Sequence, residues 1–142
     1  MNHDVNDLRI TVIGAGHGGK SMAADMANRG FSVTLYNRTE ANIEAIRLRG
    51  GIDLTTEDGR DHFCPLANVT CDMAEAVRDA DLIMVVIPAS GHRWVALNTS
   101  SCLRNDQIVL LNPGRTGGAL EFAAGLREAG CATRPISSSA LT

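Results

Sequence analysis

Between Arg9 and Gly30 the chain reads RITVIGAGHGGKSMAADMANRG. A β-branched run breaks at Gly14 into six residues of which five are glycine or alanine, and then resumes with apolar residues at helical spacing. The near-continuous apolar run from Leu8 to Ile13 suits a strand covered on both faces. Met22, Ala23, Met26 and Ala27 recur at i, i+1, i+4 and i+5, one stripe of a helix that Gly30 stops. FSVTLYNR reads as a second strand, so the first unit is β-α-β.

The alternation continues. Thr39 is placed to cap the next predicted helix, with Glu40 in its first turn, Ile43 and Ile46 on one face and Gly50 as its stop. GIDLTTEDGRDHFCPLANVT sets the turn signal Asp58-Gly59 between two short alternating runs, which predicts a β-hairpin or an irregular strand pair. Asp72 and Glu75 have the spacing of a capping box for the helix CDMAEAVRDA, and DLIMVVIP predicts a central strand. A helix from about Gly91 to Leu103, a strand QIVLLNP and a helix GGALEFAAGLREAG complete the pattern. The expected fold is α/β of Rossmann type, doubly wound with a mainly parallel sheet, a β-hairpin elaboration and an incomplete last strand. After Gly130 the rhythm calls for a strand, but CATRPISSSALT offers a proline and three serines. Residues 1–130 are therefore read as one domain and 131–142 as a short disordered tail.

Bulk properties narrow the function. A chain of 142 residues, 44% hydrophobic and 20% charged, can remove roughly two-thirds of its unfolded surface from water and needs no staples. A net charge of −3 gives no basic field for a phosphate polymer, which argues against nucleic acid. The polar, acidic start MNHDVNDLRI lacks the basic and apolar regions of a secretory leader, and LIMVVIPA is too short to span a bilayer. The expectation is a cytoplasmic protein with no membrane partner. Cys64, Cys71, Cys102 and Cys131 are scattered, without a CxxC pair or a histidine at ligand spacing, so they are read as reduced thiols and no metal site is expected.

Gly14-Ala15-Gly16-His17-Gly18-Gly19 fits GxGxxG between a predicted strand and a predicted helix, the context that gives this motif weight. Gly14 permits the tight turn, Gly16 lets backbone approach a pyrophosphate, and Gly19 lets helix pack near strand. The N–H groups of the helix start then bind the phosphates. His17 can donate to a phosphate or stand as an exposed loop residue. An acid about 20 positions on would hold the ribose hydroxyls of NAD, whereas an arginine accommodates the 2′-phosphate of NADP. Here Asn37 stands where the acid would and Arg38 beside it, which favours NADP(H); Glu40 nearby keeps NAD(H) open.

Two further stretches fall at predicted strand ends, VVIPASGHRWVA and NPGRTGGALEF. With the glycine motif, the second resembles the opine (octopine or nopaline) dehydrogenase family, and more loosely glycerol-3-phosphate dehydrogenases and ketopantoate reductases. The resemblance runs from about Leu8 to Gly130. It implies reductive joining of an amino acid to a 2-oxo acid, with NAD(P)H delivering hydride to the imine. On that resemblance Pro88 would shape the floor beneath the adenosine or ribose, Asn112, Pro113 and Gly114 would border the nicotinamide, and Arg115 could face a carboxylate or phosphate. His92 is read as a local hydrogen-bonding residue rather than an acid or base. The family's second, mainly helical domain carries the substrate site and the catalytic histidine and aspartate, which 142 residues cannot supply. This chain is therefore expected to hold cofactor, to carry no catalytic residue, and to depend on the missing domain or a partner subunit; a homodimer is one such assembly. The alternatives are a domain of a ketone reductase and a stand-alone dinucleotide-binding sensor module.

Overall fold

The computed structural model describes residues 4–115 and 117–139. Six strands form one parallel sheet in the order β5-β2-β1-β6-β7-β8: β1 is Arg9–Ile13, β2 Ser32–Tyr36, β5 Asn68–Thr70, β6 Leu82–Val85, β7 Ile108–Leu111 and β8 Ile136–Ser139. This is the doubly wound order, in which the strand direction of travel reverses between β1 and β6. The expected hairpin is a separate antiparallel pair, β3 (Gly51–Thr55) and β4 (Asp61–Pro65), in register from Gly51↔Pro65 to Thr55↔Asp61.

Helices cover both faces of the large sheet, which is why its central strands β1, β6 and β7 are predominantly apolar. Ile10 and Val12 of β1 join Val33, Leu35 and Met84 under α1 (His17–Asn28). Within α1, Ala23 is fully buried and Met22, Met26 and Ala27 pack on that cluster, the predicted stripe. Ile13 faces the opposite side, where Ile83, Val85, Val109 and Leu111 meet Val95 of α4 (His92–Thr99) and Phe122 and Leu126 of α5 (Gly118–Glu128). Each fully buried aliphatic or aromatic side chain there contributes about 1.5–3 kcal/mol over its exposed state.

Three local expectations change. Thr39 makes no side-chain cap; a 3-10 turn over Glu40–Asn42 intervenes, and the helix proper, α2, is only Glu44–Arg49. Asp72 does cap α3 (Met73–Val77), accepting from Glu75 N at 3.1 Å, but the Glu75 carboxylate turns away to Thr70 Oγ1 and Asn68 Nδ2. Thr70 Oγ1 accepts from Asp72 N in its place, at 3.0 Å. The predicted helix ending near Leu103 stops at Thr99, after which single turns continue through hydrogen bonds from Cys102 N and Leu103 N to Thr99 O.

The largest correction concerns residues 131–139, the part of the expected tail that is described; 140–142 lie outside the described residues. Instead of a disordered tail from 131 there is a sixth strand, β8, as long as β6 and β7 and in register with β7 from Ile108↔Ile136 to Leu111↔Ser139. Its approach is tied down by Arg134 N donating to Asn105 Oδ1 at 2.7 Å and Ile136 N donating to Gln107 O at 3.1 Å. An edge strand is held by its main-chain ladder, so serines serve, and Pro135 precedes the first ladder residue, where a missing N–H costs nothing.

Candidate dinucleotide site

The carboxyl end of β1 leads straight into the glycine turn. Gly14 has φ +111 and its N–H donates to Tyr36 O at 2.9 Å. A Cβ there would overlap the Val86 carbonyl oxygen and meet Ile87 Cγ2, and a Cβ at Gly19 would overlap the Gly14 carbonyl oxygen. Side chains are excluded at both positions by backbone, so β1, β6 and α1 close tightly around the turn. Gly16 differs. It caps α1 with ordinary extended backbone (φ −73, ψ −174), it is exposed, and a Cβ built on it meets nothing within 4 Å. Neither strain nor crowding among the described residues requires glycine there. His17 and Gly18 are exposed beside it, on the first turn of α1, whose N–H groups have no partners inside the helix. A helix mouth with free N–H groups is the kind of place where anions bind.

Asn37 joins the turn to the end of β2. Its Oδ1 accepts from Ala15 N at 3.1 Å, its Nδ2 donates to Thr39 O at 3.0 Å, and its own N–H donates to Thr70 O at 3.2 Å. The residue standing where an acid would face a ribose is thus committed to holding the glycine turn. Arg38 is exposed and makes no ion pair among the described residues; its guanidinium lies over the Trp94 ring, 5.5 Å from the centroid. Between these walls runs a cleft of about 420 Å³, lined by Gly14, Tyr36, Asn37 and Arg38 on one side and Ile87, Ser90, Gly91 and Trp94 on the other. Burial pushes the Tyr36 phenol above its usual range, with Cys71 adding to the shift and Arg38 opposing it.

The remaining predicted residues stand further along the same edge. Pro88 is exposed and opens the 3-10 turn Ala89–Gly91; it is not among the residues lining the cleft, where Ile87, Ser90 and Gly91 take that place. Asn112 N donates to Val85 O at 2.9 Å, so Asn112, Pro113 and the buried Gly114 sit at the end of β7, across β6 from the glycine turn and outside the cleft. The Asn112-Pro113 peptide is cis, and Arg115 follows with φ +46. His92, the first residue of α4, is wholly buried with no hydrogen-bond partner for either ring nitrogen among the described residues. Burial holds its pKa below the ordinary value, with Glu121 pulling the other way. His92 is thus held chiefly by packing, with the Ile87 backbone the local polar group that acts on it. Trp94, Ser90 and Thr39 were not anticipated as cleft residues. Trp94 carried a signal, as the chain's single tryptophan just beyond a strand end at the sheet's reversal point.

A doubly wound sheet whose glycine turn opens a helix beside a cleft at the reversal point defines a dinucleotide-binding domain. The chain belongs to the family described as the NAD binding domain of 6-phosphogluconate dehydrogenase, which matches residues 9–110. It is homologous to NAD(P)-dependent dehydrogenases. An opine dehydrogenase of Arthrobacter sp. (strain 1C) is 40% identical over 126 residues, covering 89% of this chain and 35% of that protein. A glycerol-3-phosphate dehydrogenase [NAD(P)+] of Limosilactobacillus reuteri is 31% identical over 97 residues, 67% of this chain and 28% of that protein. Among solved structures, apo yersinopine dehydrogenase shares the fold with a TM-score of 0.78 at 23% identity, over 96% of this chain and 36% of that one. The same enzyme has been solved with NADP+ bound, and octopine dehydrogenases and a ketopantoate reductase share the fold as well. The chain spans about a third of the length of these relatives. No helix among the described residues is long and apolar enough to cross a membrane.

Proposed function

We propose that this chain is the cofactor-binding part of an opine-type dehydrogenase, which uses NADP(H) in preference to NAD(H) to reduce the imine of an amino acid and a 2-oxo acid. The observation that carries the reading is Gly16, a glycine that nothing among the described residues requires, set at the mouth of a helix beside a cleft. When bound, the dinucleotide supplies the hydride. The chain's own residues bind and orient it: the turn from Gly14 to Gly19, with Ala15 tethered by Asn37, takes the pyrophosphate, and Arg38, without a carboxylate partner among the described residues, pairs with the 2′-phosphate. Asn112, Pro113 and Gly114 border the nicotinamide end, and Ile87, Ser90 and Gly91, rather than Pro88, line the cleft where the ribose lies. The opine assignment draws on the 40% identity to the Arthrobacter enzyme, and the preference for NADP(H) on the pairing of Asn37 with Arg38. The runner-up, a ketone reductase of the glycerol-3-phosphate dehydrogenase kind, rests on the 31% identity to such an enzyme.

Substrate binding and acid-base catalysis fall to protein outside these residues, in a further domain or a partner subunit. Without a positioned proton donor the imine reduction loses about 10²–10⁴ in rate. We place the reaction in the cytoplasm, where the four unpaired thiols stay reduced. The test is an assay of the purified chain with NADPH, an amino acid and a 2-oxo acid, run beside a binding titration. Binding without oxidation of the cofactor is expected. Sustained turnover by the chain alone would overturn the division of labour.

A further inference from the structure

Trp94 occupies the cleft in a way that the dinucleotide reading has not used. Its half-buried ring packs against the core cluster that includes Ile13, Val95 and Phe122, while its exposed part lines the cleft. α4 holds it in place, and its carbonyl also accepts from Asn98 Nδ2 at 2.8 Å. Over the ring lies the guanidinium of Arg38, which comes from the opposite wall at the end of β2. The contact therefore bridges the two walls, and both of its faces are flat π surfaces suited to a planar base.

Resting on the reading of this cleft as the adenosine end of a dinucleotide site, we propose that Trp94 is a cofactor-binding residue: its indole is the platform on which the purine stacks, with Arg38 closing on the base's other face. The spacing allows it. Two stacking contacts of about 3.5 Å need about 7 Å between guanidinium and indole. The guanidinium carbon lies 5.5 Å from the ring centroid, so the pair parts to admit a base, and the exposed, flexible arginine is the side that moves. The two residues then divide the work. Trp94 meets the adenine, common to both dinucleotides, and sets affinity; Arg38 alone senses the 2′ position and sets selectivity.

Because Trp94 is the chain's only tryptophan, its emission reports on the cleft directly. Adenosine 2′,5′-bisphosphate, which has no nicotinamide to interfere, is expected to quench it on titration of the unmodified chain. Calorimetry with NADPH and NADH then separates the roles. Trp94→Leu is expected to weaken both by the same factor, about five-fold or more, leaving their ratio unchanged, while Trp94→Phe recovers most of the loss. Arg38→Ala is expected to collapse the ratio. Loss of affinity in Trp94→Leu with an unchanged ratio in Arg38→Ala would support the platform and overturn the 2′-phosphate reading. No quenching, or unaltered or tighter binding in a folded Trp94→Leu, would overturn the platform, leaving the arginine contact as a mere strap across the cleft, whatever Arg38→Ala does.

Discussion

Around Gly14 the carboxyl edge of the sheet closes on itself, whereas beyond β7 it opens outward. At the glycine turn the polar groups are answered from within: Gly14 N by Tyr36 O, Ala15 N by Asn37 Oδ1, Asn37 N by Thr70 O. Backbone fills the space where two of the motif's side chains would be. Past β7 the chain instead passes through Arg115 and Gly117 in left-handed conformations and starts α5 with Leu120 77% exposed. The part that would hold the pyrophosphate and adenosine is thus preorganised inside this chain. The edge past β7 presents surface instead.

The contrast can be attacked by substitution. Gly19→Ala puts a methyl group into the Gly14 carbonyl and should cost more than about 4 kcal/mol of stability, read as a loss of the cooperative unfolding transition. A mild loss would mean that the turn is looser than described. On the other region, Phe122→Ala empties the packing beneath α5 and should cost about 3–5 kcal/mol by denaturant unfolding. Gly16→Ala separates binding from folding: stability should stay within about 1 kcal/mol of the parent while NADPH affinity falls about tenfold or more. Equal losses in both would place Gly16 in the scaffold instead. Asn37→Asp keeps the acceptor for Ala15 N but sets a negative charge beside Arg38; NADPH should weaken several-fold and NADH should gain, giving a shift of about tenfold in their ratio by calorimetry.

The smallest effect expected is one of pH. Folding holds His92 neutral, with its pKa below the ordinary 6.5, so the unfolded chain binds the extra proton first. Its contribution to stability is complete above about pH 6.5 and is lost as the pH falls from there toward the depressed folded value. The fall in unfolding temperature on acidification should therefore be shallower in His92→Leu than in the parent. An identical slope would show that His92 does not titrate on unfolding.

The sequence made one of these regions far easier to read than the other. Glycine at 14, 16 and 19 constrains backbone directly, and the strand-helix context around it is short-range, so turn, helix and neighbouring strand could be placed without tertiary information. The position of Asn37 and Arg38 at the end of β2 was legible for the same reason, though the tether from Asn37 to Ala15 was not, since it depends on two strand ends meeting. β8 was misread because proline and serine speak against a strand in propensity, while a parallel edge strand is held by a ladder that composition does not reveal. Trp94 was passed over because its helical position looks like core, and only the crossing from β6 into α4 turns one face of its ring toward Arg38.

The most direct measurement is titration calorimetry of the unmodified chain with NADPH and, separately, NADH, repeated on Arg38→Ala. Tighter binding of NADPH, with the difference lost in the variant, is the predicted result. Equal or tighter binding of NADH by the unmodified chain would contradict the assignment of Asn37 and Arg38, and failure to bind either would contradict a cofactor half that is complete within these residues.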